Sequence, residues 1–199
     1  MKMGSGNAVE KAVKRIRALK TQGASKVRAE VLKAVKKSVL SSKAKNAYAF
    51  RNELKRNIWK LVNARPTEPE ARTAMRVLLH AAEKEKPLQE LKNHVAGECK
   101  NYEKNREKAL KKIAGFGANI IRKGSIVLTH CHSHTVEEIL KEAWKKKKLA
   151  EVVCTETRPM FQGRITAEAL SEAGIPVTMV VDSAAMNYLR EADYFFTGA

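Results

Sequence analysis

Cysteine is scarce in this chain. Cys99, Cys131 and Cys154 are the three in 199 residues, and they form neither an even disulfide set nor a metal-ligand spacing. A reducing, cytoplasmic setting is the expectation. No apolar run reaches membrane-spanning length, and the first residues, MKMGSGNAVEKAVKRIRALK, hold no apolar signal core. Acidic residues are outnumbered, 21 against 39 lysines and arginines. Aromatics make up 6% of the chain and do not interleave with the basic residues as a base-stacking platform requires. Direct nucleic-acid binding is therefore disfavoured, although the net charge of +18 leaves a ribonucleoprotein contact open. A Gly-x-Gly-x-x-Gly loop is also missing, which argues against a dinucleotide and leaves no cofactor to expect.

What is present divides in two. Residues 1–123 carry 31 basic against 11 acidic residues, and residues 124–199 carry 8 against 10. The first part shows helical spacing throughout: Val9, Val13, Ile16 and Leu19; then Val27, Val31, Leu32, Val35 and Leu40; then Phe50, Leu54, Ile58 and Leu61. A turn at Ala64-Arg65-Pro66-Thr67 precedes a fourth helix, with Thr67 as the expected N-cap and Pro69 in the first turn. After a break near Pro87 a long polar helix runs to about Lys123. From Gly124 the period changes. Short apolar segments at 125–130, 150–155, 175–181 and 194–197 alternate with helical stretches. That pattern predicts βαβ units and a parallel, Rossmann-like sheet covered on both faces. The last strand is followed at once by Gly198-Ala199, so the second domain is expected to be incomplete in this sequence.

In open α/β sheets ligands bind at the carboxyl ends of strands. The residues expected there are His130-Cys131, Glu156-Thr157-Arg158 with the loop PMFQGR, Asp182-Ser183, and Gly198-Ala199. Cys131 sits just before a helix expected to start at Ser133 to Thr135, where free amides would favour a thiolate or hold a phosphate. A small packed residue is the plainer reading of the same cysteine. The stretch Thr129-His130-Cys131-His132-Ser133-His134 suggests zinc, but neighbouring side chains alternate in direction and no second His–Cys cluster exists, so no metal is expected. Arg158 and Arg164 flank Gly163, a set suited to a phosphate or carboxylate, or else to salt bridges with Glu156 and Asp182. Asp182-Ser183 fits an N-cap equally well. Gly23 opens the second helix, and its amides are a weaker candidate for an anion.

Taken together, Thr129-His130-Cys131-His132-Ser133, the segment 155–185 and Gly198-Ala199 resemble one family. It comprises the alpha, beta and delta subunits of translation initiation factor 2B, their archaeal relatives, and the isomerases of ribose 1,5-bisphosphate and methylthioribose 1-phosphate. The resemblance implies a helical N-terminal domain followed by a Rossmann-like α/β domain of the NagB/RpiA/CoA-transferase type. It implies two functions. The leading one is an initiation-factor-2B-like regulatory subunit, holding a nucleotide or sugar phosphate and partnering initiation factor 2. The alternative is an aldose–ketose isomerase of a phosphorylated pentose. Either implies a homo-oligomer or an assembly of related subunits. In the isomerase branch Cys131 would act in proton transfer with an aspartate directly after Gly-Ala. Gly23, Ala24, Arg65, Arg158, Gln162, Gly163 and Arg164 would form the substrate-binding set. Gln22 stands where those isomerases carry arginine, and Glu68-Pro69 looks more like the initiation-factor branch.

Overall fold

The computed structural model describes residues 5–21 and 23–198, with side chains described from residue 8 onward. Gln22 and Ala199 thus lie outside the described residues. Contacts divide the chain into two compact units, Met1–Arg106 and Glu107–Ala199.

The first unit is helical: α1 (Ser5–Arg17), α2 (Ala24–Leu40), α3 (Ala47–Val62), α4 (Pro69–Glu83) and the greater part of α5 (Leu88–Ile120). The apolar stripes meet in one core built on Val9, Ile16, Val31, Val35, Phe50, Leu54, Met75, Leu78 and Leu91. Two expected stripe residues are outside it. Leu19 lies past the end of α1 at φ 52° and is half exposed. Leu40 is exposed while Val39 is buried, because four residues from Val35 return to the same helix face and five overshoot it. Asn46 caps α3, its side chain accepting from Ala49 N. Glu68, rather than the expected Thr67, is the N-cap of α4, and Pro69 takes the first helical position, where a missing N–H costs nothing.

Four charged groups are gathered among these helices. Arg28 donates to Glu70 at 2.6 Å and to Glu103 at 3.1 Å, and Arg106 donates to the same Glu70 oxygen at 2.6 Å. Arg28 is buried, so removing one carboxylate would leave a poorly hydrated guanidinium. Hydrogen bonds from Arg106 and Arg28 hold the Glu70 carboxyl below the usual range, against the opposing effect of its partial burial.

The second unit carries the parallel sheet: β1 (Ser125–His130), α6 (His134–Lys145), β2 (Leu149–Thr155), α7 (Gln162–Glu172), β3 (Val177–Val180), a 3-10 turn at Asp182–Ala184, α8 (Ala185–Leu189) and β4 (Tyr194–Thr197). The strand order is β3-β2-β1-β4, all parallel. β3 begins at Val177 rather than 175, because Pro176 has no N–H for the ladder; its carbonyl still accepts from Val152 N. Val127, Val152 and Cys154 pack with Leu140 and Ala143 of α6 and with Leu170 of α7. The opposite face is covered less completely than expected, with Phe195 of β4 still 49% exposed. Among the described residues no helix is long and apolar enough to cross a membrane.

Candidate active site at the carboxyl edge of the sheet

The chain winds from β1 outward through β2 to β3, then returns to place β4 on the other side of β1. The order therefore reverses between β1 and β4, and the crevice outside such a reversal is the standard ligand position of an open α/β sheet. Cys131 is the residue immediately beyond β1 at this point.

Its backbone is held in an uncommon conformation. Cys131 has φ 68°, Thr157 beyond β2 has φ 60°, and Phe161 at the start of α7 has φ 52°. Side chains with a Cβ rarely adopt positive φ, a β-branched threonine least of all, and each such residue costs about 1–3 kcal/mol unless its surroundings enforce it. The enforcing contacts are specific. Cys131 N donates to Thr157 Oγ1 at 2.9 Å, and Thr166 Oγ1 donates to the Cys131 carbonyl at 3.1 Å. Asp182 then clamps the second loop, its two oxygens accepting from Thr157 N at 2.8 Å and Arg158 N at 2.7 Å. These backbone donors, Arg158 N foremost, lower the Asp182 pKa from its ordinary 3.8.

The thiol itself is half-buried and donates to Gln162 Oε1 at 3.3 Å. The other two cysteines are buried, and burial pushes both up to about 12. α6 starts at His134, within the expected span, with Ser133 accepting from Val136 N as its cap. Gly198 follows β4 and lies against this cap: a Cβ there would stand 2.5 Å from Ser133 Cβ.

The three histidines of the stretch 129–134 separate. His130 pairs with Thr155 Oγ1 at 2.6 Å, His132 with Thr166 Oγ1 at 3.0 Å, and His134 faces Glu137 at 3.8 Å. His134, Glu137 and Glu138 bring ligand atoms within 4.8 Å of one another, but Glu137 is already bound to Lys141 at 2.6 Å.

Gly163 is required by contact rather than by φ. A Cβ there would fall 1.7 Å from the Thr155 carbonyl oxygen, so the absence of a side chain lets the first turn of α7 rest directly on the end of β2. Arg158 and Arg164 both reach Glu156, at 3.1 and 3.7 Å, and both guanidinium groups lie over the Phe161 ring, 5.3 and 4.2 Å from its centre. They remain 69% and 57% exposed, leaving donors turned to water. Asp182 takes the backbone of Arg158, not its guanidinium, so the expected Asp182 salt bridge does not form.

Gly23, Ala24 and Arg65 belong to the first unit. Gly23 is the N-cap of α2 at φ 83°, with open space where a Cβ would stand, and Ala24 opens the helix behind it. Arg65 reaches Glu68 at 3.5 Å, while its Nη1 is buried with no hydrogen-bond partner. A buried cationic donor left unpaired is costly, and an anion is its natural complement.

Sequence reasoning missed Thr157 and Thr166 as the partners of Cys131. Thr166 was accessible, four residues after Gln162 and so on the same helical face. Thr157 had no such signal, since nothing in its residue type announces a positive φ.

A helical region followed by a parallel α/β sheet of order β3-β2-β1-β4 defines a Rossmann-like protein, with the carboxyl edge beyond β1 as its candidate site. The sequence profile of the Initiation factor 2 subunit family matches residues 20–199, and the chain belongs to that family. Ribose 1,5-bisphosphate isomerase of Thermococcus kodakarensis is 36% identical over 189 residues, covering 93% of this chain and 59% of the relative. The protein of the same name from Methanocaldococcus jannaschii is 32% identical over 198 residues, covering 100% of this chain and 63% of the relative. The chain thus spans about three fifths of the length of these curated relatives. Among solved structures, translation initiation factor eIF-2B of Pyrococcus horikoshii superposes with a TM-score of 0.83 at 21% identity, covering 96% of this chain and 66% of that one. This last likeness concerns the fold alone.

Proposed function

We propose that the site binds a phosphorylated pentose and that the protein takes part in its aldose–ketose isomerisation, with ribose 1,5-bisphosphate as the substrate class. The observation that carries this reading is Cys131, a half-buried thiol held at φ 68° at the strand-order reversal and bonded to Gln162. Relatives at 30–36% identity that carry the ribose 1,5-bisphosphate isomerase name support it over the regulatory reading, which rests on family membership alone.

The chemistry asks for two acid–base groups at the sugar and cations for the phosphates. Opening the ring breaks its C1–O bond and protonates the ring oxygen as C2 gives up a proton, forming a C1=C2 enol; the C2 hydroxyl then loses its proton to become the ketone as C1 takes one up. Cys131 supplies one of these groups. By the family resemblance its partner would be a carboxylate directly after Gly-Ala. The exposed faces of Arg158 and Arg164 are this site's phosphate-binding candidates; Arg65, Gly23 and Ala24, in the first unit, join the set through the family resemblance alone. Gln162 and Gly163 position the thiol and the loop. A homo-oligomer or an assembly with related subunits accompanies this reading.

The test is conversion of ribose 1,5-bisphosphate to its ketose by the purified protein. Turnover that falls at least about 100-fold in Cys131→Ser supports the reading, in line with the usual contribution of a general acid–base group. Absent turnover together with co-purification of initiation factor 2 would overturn it in favour of the regulatory one.

A further inference from the structure

Helices α3 and α4 line a groove that the sugar-phosphate reading does not use. Its walls come from positions 55, 58, 59 and 62 of α3 and from 72, 75, 76 and 79 of α4. Each set has the i, i+3, i+4, i+7 spacing of a single helix face, so the groove runs along about two turns of both helices, roughly 10 Å. The floor is apolar: Ile58 and Met75 are 4% and 1% exposed, with Val62 and Leu79 partly buried beside them. Trp59 forms one lip and leaves 69% of its surface in water. The groove is open to solvent and its volume is about 270 Å³, below the roughly 300–1,000 Å³ of small-molecule pockets but suited to protruding side chains.

The rim carries one sign of charge. Lys55, Arg72 and Arg76 line the groove, no acidic residue does, and no ion pair among the described residues engages the three cations. We propose that this groove docks an amphipathic α-helix of a partner protein, with aliphatic anchors on one face and carboxylates along its flanks. The apolar floor and matched spacing provide the helix-in-groove geometry, and the unpaired cations select an acidic flank. A second copy docking through the same groove would set Lys55, Arg72 and Arg76 against their own equivalents. A nucleic acid would find a single aromatic and an apolar floor, where stacking platforms offer several rings. The inference is independent of the isomerase reading and stands or falls without it.

The test uses the full chain and a fluorescein-labelled peptide of about five helical turns, with Leu at i, i+3, i+4 and i+7 and Glu on both flanks. Anisotropy is compared with a scrambled peptide of identical composition. The expected result is binding at least about 10-fold tighter than the scramble, weakened at least about 10-fold by Trp59→Ala and by the pair Arg72→Glu/Arg76→Glu. These are exposed positions, so circular dichroism of the variants should match the parent. Equal binding of both peptides, or variants within twofold of the parent, overturns the proposal in favour of unspecific attraction to a basic chain. Displacement of the peptide by a single-stranded RNA oligonucleotide whose own binding requires Trp59 overturns it in favour of a nucleic-acid site.

Discussion

Replacing Gly163 by alanine tests whether the first turn of α7 rests on β2 closely enough to hold Cys131 in place. The added Cβ would lie 1.7 Å from the Thr155 carbonyl oxygen and 2.9 Å from its carbon. Real Cβ atoms essentially never approach within 3.0 Å, so the helix start or the strand end must retreat by about 1.3 Å. Both partners are backbone, so no rotamer change relieves the clash. Overpacking of this kind costs about 1–3 kcal/mol, and in a unit of fewer than 100 residues each kcal/mol lowers the melting temperature by roughly 4–8 °C. The same displacement would stretch the 3.1 Å bond from Thr166 Oγ1 to the Cys131 carbonyl and the 3.3 Å bond from the thiol to Gln162. Thermal unfolding followed by circular dichroism is the assay, with Gly115→Ala as the internal comparison. Gly115 lies inside α5 with nothing within 4 Å of its would-be Cβ, so alanine there should stabilise by about 0.5–1 kcal/mol. If Gly163→Ala melts within about 2 °C of the parent, the close approach is not as described and the account of the site loses its foundation.

Alkylation with iodoacetamide at pH 8 should label Cys131 in the folded protein and spare Cys99 and Cys154, whose thiols burial pushes up to about 12; peptide mass mapping reads this out, and early labelling of Cys99 or Cys154 would contradict it. Asp182 has a folded pKa below its ordinary 3.8, so its clamp contributes above that value and is lost as the pH falls through the lower, folded one. The amide signals of Thr157 and Arg158 should therefore hold steady from neutral pH to about 4 and move in more acidic solution. An identical acid transition in Asp182→Asn would refute that assignment. Glu70→Gln should destabilise the first unit by about 1–2 kcal/mol, less than the 3–5 typical of a fully buried pair because 18% of the Glu70 side chain meets water. Urea unfolding measures it, and no change in midpoint would mean that the Arg28–Glu70–Arg106 cluster is neutral.

Much of the fold was legible because it follows from period. The stripe Phe50, Leu54, Ile58 and Leu61 appears in the core as read, and the segments 125–130 and 150–155 pair as neighbouring parallel strands. Local chemistry was less legible. Thr67 and Glu68 are both plausible before Pro69, and backbone geometry rather than residue type selected Glu68 as the cap. At the site, the placement of Cys131 at a strand end could be read, but the clamp that fixes it could not. Asp182 lies 25 residues from Thr157 in sequence, and the pairing exists because β2 and β3 run side by side and deliver both residues to one edge.

The left-handed residues at the sheet's carboxyl edge, Cys131, Thr157 and Phe161, also bear on how the protein can change. Glycine or asparagine would occupy the Phe161 position with less backbone strain, so selection for heat resistance alone should drift there readily. Such a variant would lose the ring over which Arg158 and Arg164 lie. Backbone ease and the placement of the two guanidinium groups are thus set in opposition within one short loop.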